Sequence, residues 1–159
     1  MKKIYLKKLN CCAMESTEKE RYFKELNICE NFNSCFMKSD IKSKNVKLKI
    51  NCAKIINTIE GESLEGQYLS GKKLIIIGKV CTELFIANVN NNYPNCYYIE
   101  REIPFSTFII IPRDVCDKED IHLEYFIEDI SIINVTRKKI LLSVTFLIEF
   151  KEDFLDDNN

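Results

Sequence analysis

At 159 residues and 46% hydrophobic content, the chain is long enough for one real core and too short for several. A formal net charge of −1 excludes a partner held by bulk electrostatics, so neither nucleic acid nor an anionic membrane surface is expected. The longest apolar runs, Leu74–Ile77 and Phe108–Ile111, are far below bilayer length, and MKKIYLKKLN lacks the apolar stretch of a secretory signal, so cytosolic synthesis is expected.

Residues 1–44 read as a polar, cysteine-rich N-terminal arm. It carries Cys11, Cys12, Cys29 and Cys35, half of the eight cysteines. Thr17 and Glu20 match a capping box, and STEKERYFKEL offers Tyr22, Phe23 and Leu26 for one face of a short helix. An extended arm is the alternative. Near the start, Ile4, Tyr5 and Leu6 form a strand-prone centre between Lys2, Lys3, Lys7 and Lys8. Such a segment suits strand addition to the open sheet edge of a neighbouring subunit, near that subunit's acidic tail.

Residues 45–151 read as an antiparallel β-sandwich of about seven to eight strands. Val46, Leu48, Ile50 and Cys52 alternate with Lys47, Lys49 and Asn51, a half-buried strand with lysines outward. Glu60-Gly61-Glu62 marks a turn, and SLEGQYLSG is a short strand between turns. Leu74–Ala87 is too long and too apolar for one flat strand, and Gly78 within it predicts a bulge or bend. NVNNNYPN is a hairpin loop by composition. Pro104 and Pro112 bracket the next apolar run and, lacking an N–H, belong at strand ends or on an edge. In 121–135 the apolar parity slips from odd to even at Glu128-Asp129, predicting a bulge. Thr136-Arg137-Lys138 turns into the last strand, where Ile140, Leu142, Val144, Phe146, Ile148 and Phe150 share one face; Thr145 and Glu149 point to water. Residues 152–159 form an acidic tail expected to fray. Turn signals at this spacing favour a sandwich.

The succession VKLKINCAKII, GKKLIIIGKVCTELFIA, YYIEREIPFSTFIIIP and HLEYFIEDISIINVTRKKILLSVTFLIEF resembles the SPOCS domain of sporulation and spore-envelope proteins of clostridia, including the SipL type. The resemblance rests on a glycine-opened strand, on Glu102-Ile103-Pro104-Phe105 through Pro112, and on Glu128-Asp129-Ile130-Ser131 before a final alternating strand. It covers roughly 46–150 and implies a sporulation-associated, structural, non-enzymatic β domain. The sequence holds one such domain and no LysM-like segment, so SipL's partner and peptidoglycan binding are not carried over.

Site chemistry is sparse. The only histidine, His122, reads as an exposed strand residue, and GxSxG, P-loop, GxGxxG and HExxH motifs are missing, so no catalytic residue, metal site or cofactor is expected. The thiols have three open uses: disulfides between subunits through Cys11, Cys12, Cys29 and Cys35, free thiols, or metal binding. Cys11-Cys12 and Cys29-x5-Cys35 are poor zinc spacings, and adjacent Cys11 and Cys12 are better placed to reach two partners than each other. Cys52 and Cys81 read as small buried residues within strands. Tyr93, Tyr97 and Tyr98 around NNNYPNC are a candidate sugar-stacking platform. The expectation is a self-assembling structural protein of the spore surface, coat or exosporium, made in the mother-cell cytosol. Its partners would be itself and other spore-envelope proteins; a carbohydrate- or protein-binding module is the alternative.

Overall fold

A computed structural model describes residues 3–9, 21–33, 39–64, 66–88, 96–116, 120–136 and 138–152, with side chains described outside 39–44, 86–88 and 96–97. The described residues form seven strands: β1 (Ile4–Lys8), β2 (Tyr22–Asn33), β3 (Ser39–Glu62), β4 (Tyr68–Asn88), β5 (Cys96–Ile110), β6 (Ile121–Thr136) and β7 (Lys139–Lys151). They make an all-β sandwich of two sheets, ordered β1-β6-β7-β2 and β3-β4-β5. All pairings are antiparallel except β1 on β6.

Strand β7 organises the four-stranded sheet, because it pairs with β6 on one side and with all twelve residues of β2 on the other. Its burial follows the alternation of its sequence. Ile140, Leu142, Val144, Phe146, Ile148 and Phe150 are buried against the facing sheet, which contributes Leu74, Ile76, Val80, Leu84, Ile103, Phe105 and Ile109. Phe105 and Phe146 meet edge to face, ring centroids 5.2 Å apart, where the sheets touch. Tyr125, 5% exposed, adds a further ring to the core between the sheets.

The slip at Glu128-Asp129 is a bulge, with the register of β6 against β7 shifting between Ile127 and Asp129. Pro104 lies in β5, an edge strand, and Pro112 follows its end. Near Gly78 the irregularity falls on the partner instead: β3 shifts register between Ile50 and Cys52, opposite Gly78 and Ile77. A Cβ on Gly78 would stand 2.6 Å from the Lys49 carbonyl oxygen and 2.9 Å from the Phe105 ring. Glycine is required there because backbone and ring both close over it.

Several expectations are corrected. Tyr22, Phe23 and Leu26 lie in β2 rather than on a helix, since its inward-facing Tyr22, Leu26, Ile28 and Phe32 continue the core; residues 15–20 lie outside the described set. Residues 1–44 are not an arm apart from the sandwich, because β1 and β2 are outer strands of one sheet and β3 begins at Ser39. Ile4, Tyr5 and Leu6 do complete a sheet edge, but in parallel and on β6 of the same chain. The turn expected at Glu60–Glu62 lies further on, at 63–67, where Ser63 and Gln67 pair through their backbones. The separate strand expected there is the start of β4. Glu149, placed on the solvent face by parity, is buried, and Cys52 is exposed because the bulge beside it shifts the face of β3.

Candidate functional site

At one end of the sandwich, where β2 and β5 come together, an open cleft of about 570 Å³ is lined by Arg21, Tyr22, Phe23, Gln67, Tyr68, Ser70, Ile110, Pro112 and Arg113. Three segments build it. The start of β2 brings Arg21 to Phe23, the turn into β4 brings Gln67 to Ser70, and the end of β5 brings Ile110 to Arg113. The turn is held by the Ser63 hydroxyl, which accepts from the Gln67 N–H at 3.0 Å, and by Gly66 at φ 78°. Ser70 is occupied by the backbone, its hydroxyl donating to the carbonyl of Ile111.

Phe23 and Tyr68 stand 52% and 67% exposed on the rim, so the cleft presents aromatic faces to solvent. Its arginines are anchored. The Arg21 guanidinium donates two parallel hydrogen bonds of 2.8 Å to the carboxylate of Glu149, and Arg113 reaches Glu60 at 2.9 Å. Behind Arg21 a charge ladder crosses the sheet. Lys151 bridges Glu149 at 3.1 Å and Glu124 at 3.5 Å, and Lys7 of β1 meets Glu124 at 3.1 Å. Glu149 is only 3% exposed, and its carboxyl is held below the ordinary glutamate range. The Arg21 hydrogen bonds lower it most, Lys151 adds to them, and burial opposes both. The cleft thus presents exposed aromatic faces beside Gln67, with both of its arginines already paired to carboxylates.

The expected sites map differently. Tyr98 lies on the outer face of the three-stranded sheet, tilted against Phe85 at 5.3 Å, at the opposite end of β4 from the cleft. Tyr93 and the side chain of Tyr97 lie outside the described residues. His122 is half-buried rather than exposed, stacked under Tyr5 of β1 with ring centroids 4.5 Å apart. Cys11, Cys12 and Cys35 lie outside the described residues. Cys29 is exposed on the outer face of the four-stranded sheet, its thiol 3.0 Å from the side-chain oxygen of Asn27 and 3.4 Å from the hydroxyl of Ser143. Cys52 is exposed and Cys81 half-buried on the opposite outer face; burial first, and Glu102 beside it, push the Cys81 thiol pKa up. Cys116, exposed after β5, lines a smaller cleft of about 210 Å³ with Asp114, Asp120 and Glu152. All four are free thiols. The aromatic cleft carries no sequence signal, because its three walls are far apart along the chain and the residues around Phe23 are equally compatible with a helix.

The family model for the SPOCS domain of SipL matches residues 38–135, well over half of the chain. The chain belongs to the SipL SPOCS-domain family. That family is associated with sporulation, and a sporulation-related role goes with membership. The matched SPOCS segment holds β3, β4, β5 and nearly all of β6, while β1, β2 and β7 lie outside it. The cleft therefore joins two SPOCS walls, at 67–70 and 110–113, to a third from β2 that the match does not reach. No curated protein and no solved structure matches the chain. Among the described residues, no helix is long and apolar enough to cross a membrane.

Proposed function

We propose that this SPOCS-family chain is a structural, self-assembling component of the spore surface, in coat or exosporium, made in the mother-cell cytosol and cross-linked after deposition. The observation that carries the reading is the placement of its thiols. Cys29, Cys52 and Cys116 are free and exposed, on one outer face, on the other, and at the end of β5. A rigid sandwich bearing thiols in several directions can be bonded to more than one neighbour. In a reducing cytosol the thiols stay free, and they oxidise once the surface is exposed. Cys11 and Cys12 follow β1 in the sequence and are the further candidates for links to neighbouring subunits. Purified protein oxidised in air should give a ladder on non-reducing gels that collapses with reductant, and Cys11→Ser with Cys12→Ser should fold but lose the upper rungs. Mass spectrometry finding both as free thiols in oxidised assemblies overturns this linkage.

The aromatic cleft supports a second reading, a binding module for carbohydrate or a peptide carboxylate. Tyr68 is exposed enough that Tyr68→Ala should leave the fold intact. Calorimetric titration with spore polysaccharide fragments should show binding that Tyr68→Ala weakens about tenfold, near the value of one aromatic contact. Equal binding by the variant rejects the cleft as the site.

A further inference from the structure

Among the described residues, β1 pairs with β6 from Ile121 to Tyr125, and a further hydrogen bond runs from the Leu9 N–H to the Tyr125 carbonyl. From Phe126 to Thr136 the same side of β6 pairs with no strand among the described residues. This stretch is also apolar. Ile133 and Val135 are each 53% exposed, and Ile130, opposite Val144, is 38% exposed. An open edge with exposed β-branched residues is a template for another strand.

The residues flanking this edge say which strand. Glu128 and Asp129 stand at its start, and Arg137, Lys138 and Lys139 follow its end. Glu128, Asp129, Lys138 and Lys139 are all exposed. An acidic–apolar–basic run is complementary to itself when turned round. We propose that β6 pairs antiparallel with β6 of a second copy of this chain, joining two four-stranded sheets into one of eight. With Ile133 facing Ile133 on the two-fold axis, Ile132 meets Asn134, and Glu128 lies toward Lys138 in the turn that follows β6 of the second copy.

Three features agree with that register. The backbone bonds at Ile121 and Tyr125 show that odd residues turn their N–H and C=O toward the β1 side before the bulge. The extra residue at Ile127/Asp129 hands that role to Ile130, Ile132 and Asn134, so the 132–134 pairs are hydrogen-bonded and the 133–133 pair is not. Between this bulge and the second one at Asn134/Thr136, outward residues then face outward residues, as a continuous sheet requires. Finally, a shift by one residue would break both the face match and the charge match. The contact is isologous and closes on itself. It uses no cysteine and no arm, so it deepens the assembly reading with an interface that stands or falls separately.

The test uses the full chain in reductant, where thiol links are absent. Sedimentation velocity across a concentration series should show a monomer–dimer equilibrium. Ile133→Lys places two lysines on the axis and should give a monomer whose circular dichroism and Tm match the wild type. Glu128→Lys and Lys138→Glu singly should each weaken the dimer about tenfold or more, as expected for like charges facing across an interface. The two together should restore it, which separates this register from apolar association elsewhere or from docking of a neighbour's β1. Hydrogen exchange should show concentration-dependent protection at 130–134, lost in Ile133→Lys. A monomer at all concentrations, a dimer that survives Ile133→Lys, or single reversals without rescue in the double variant overturns the proposal; reducible ladders persisting in such a case would leave the disulfide reading standing.

Discussion

The buried carboxylate of Glu149 shows how one side chain reverses its strand's pattern. Its position on β7 faces outward, yet Arg21 folds over it and Lys151 closes the other side. Removing one partner of a buried pair leaves an uncompensated charge. Arg21→Ala should therefore cost about 1–3 kcal/mol, less than for a fully isolated pair because Lys151 remains. The pH consequence has a definite sign. A carboxyl whose pKa is lower folded than unfolded contributes stability that is complete above the unfolded value, about 4.3. That contribution is lost as pH falls through the depressed folded value. Urea midpoints measured from pH 7 down to pH 3 should fall more steeply for the wild type than for Glu149→Gln; parallel curves would show that the ion pair contributes nothing. At Gly78 the constraint is steric. Gly78→Ala must move the Lys49 carbonyl or the Phe105 ring, and the ring is itself seated on Phe146. Thermal unfolding should register a loss of about 1–3 kcal/mol, typical of overpacking.

Among the elements, β7 was the most legible, because its partners impose strict alternation and every even position from 140 to 150 meets the core. The β6 bulge was legible too, since an inserted residue flips parity and the apolar residues record the flip. Strands β1 and β2 were not. Their partners, Ile121–Tyr125 and Lys139–Phe150, lie more than a hundred residues away. Strand β1 shows its strand-prone Ile4-Tyr5-Leu6 centre but not its partner, and β2 with the residues before it carries helix-compatible residues that only tertiary pairing overrides. Cys52 was misassigned for a different reason, since the bulge between Ile50 and Cys52 leaves no mark on a locally regular pattern. The role of β1 is testable as an edge cover. Ile4 and Leu6 pack against the core while Tyr5 shields His122. Replacing Leu6 with Asp should detach β1, raising hydrogen exchange at Leu123 and Tyr125 while leaving the β2–β7 amides protected. Unchanged exchange at Leu123 would mean that β1 does not hold that edge.

At the scale of the molecule, the family match and the folding unit do not coincide. Residues 38–135 contain the whole three-stranded sheet but only β6 from the other. Without β7, β6 loses its antiparallel partner and the inner face of β4 loses the wall it packs against. Ile140, Leu142, Val144, Phe146 and Ile148 are at most 1% exposed. Each fully buried side chain of this size contributes about 1.5–3 kcal/mol of transfer free energy. Their combined loss is comparable to the whole stability of an ordinary domain, about 5–15 kcal/mol. Strand β2, which pairs with β7 along its full length, is missing from that segment as well. A fragment of residues 38–135 should therefore lack a cooperative thermal transition and the dispersed amide spectrum of a folded β protein, whereas residues 3–152 should show both. Adding a separate peptide of residues 138–152 to the fragment should restore some order, since the missing strand would find both the β6 edge and the exposed core. A cooperatively folded 38–135 fragment would show that the matched segment carries its own core and that β7 only extends it.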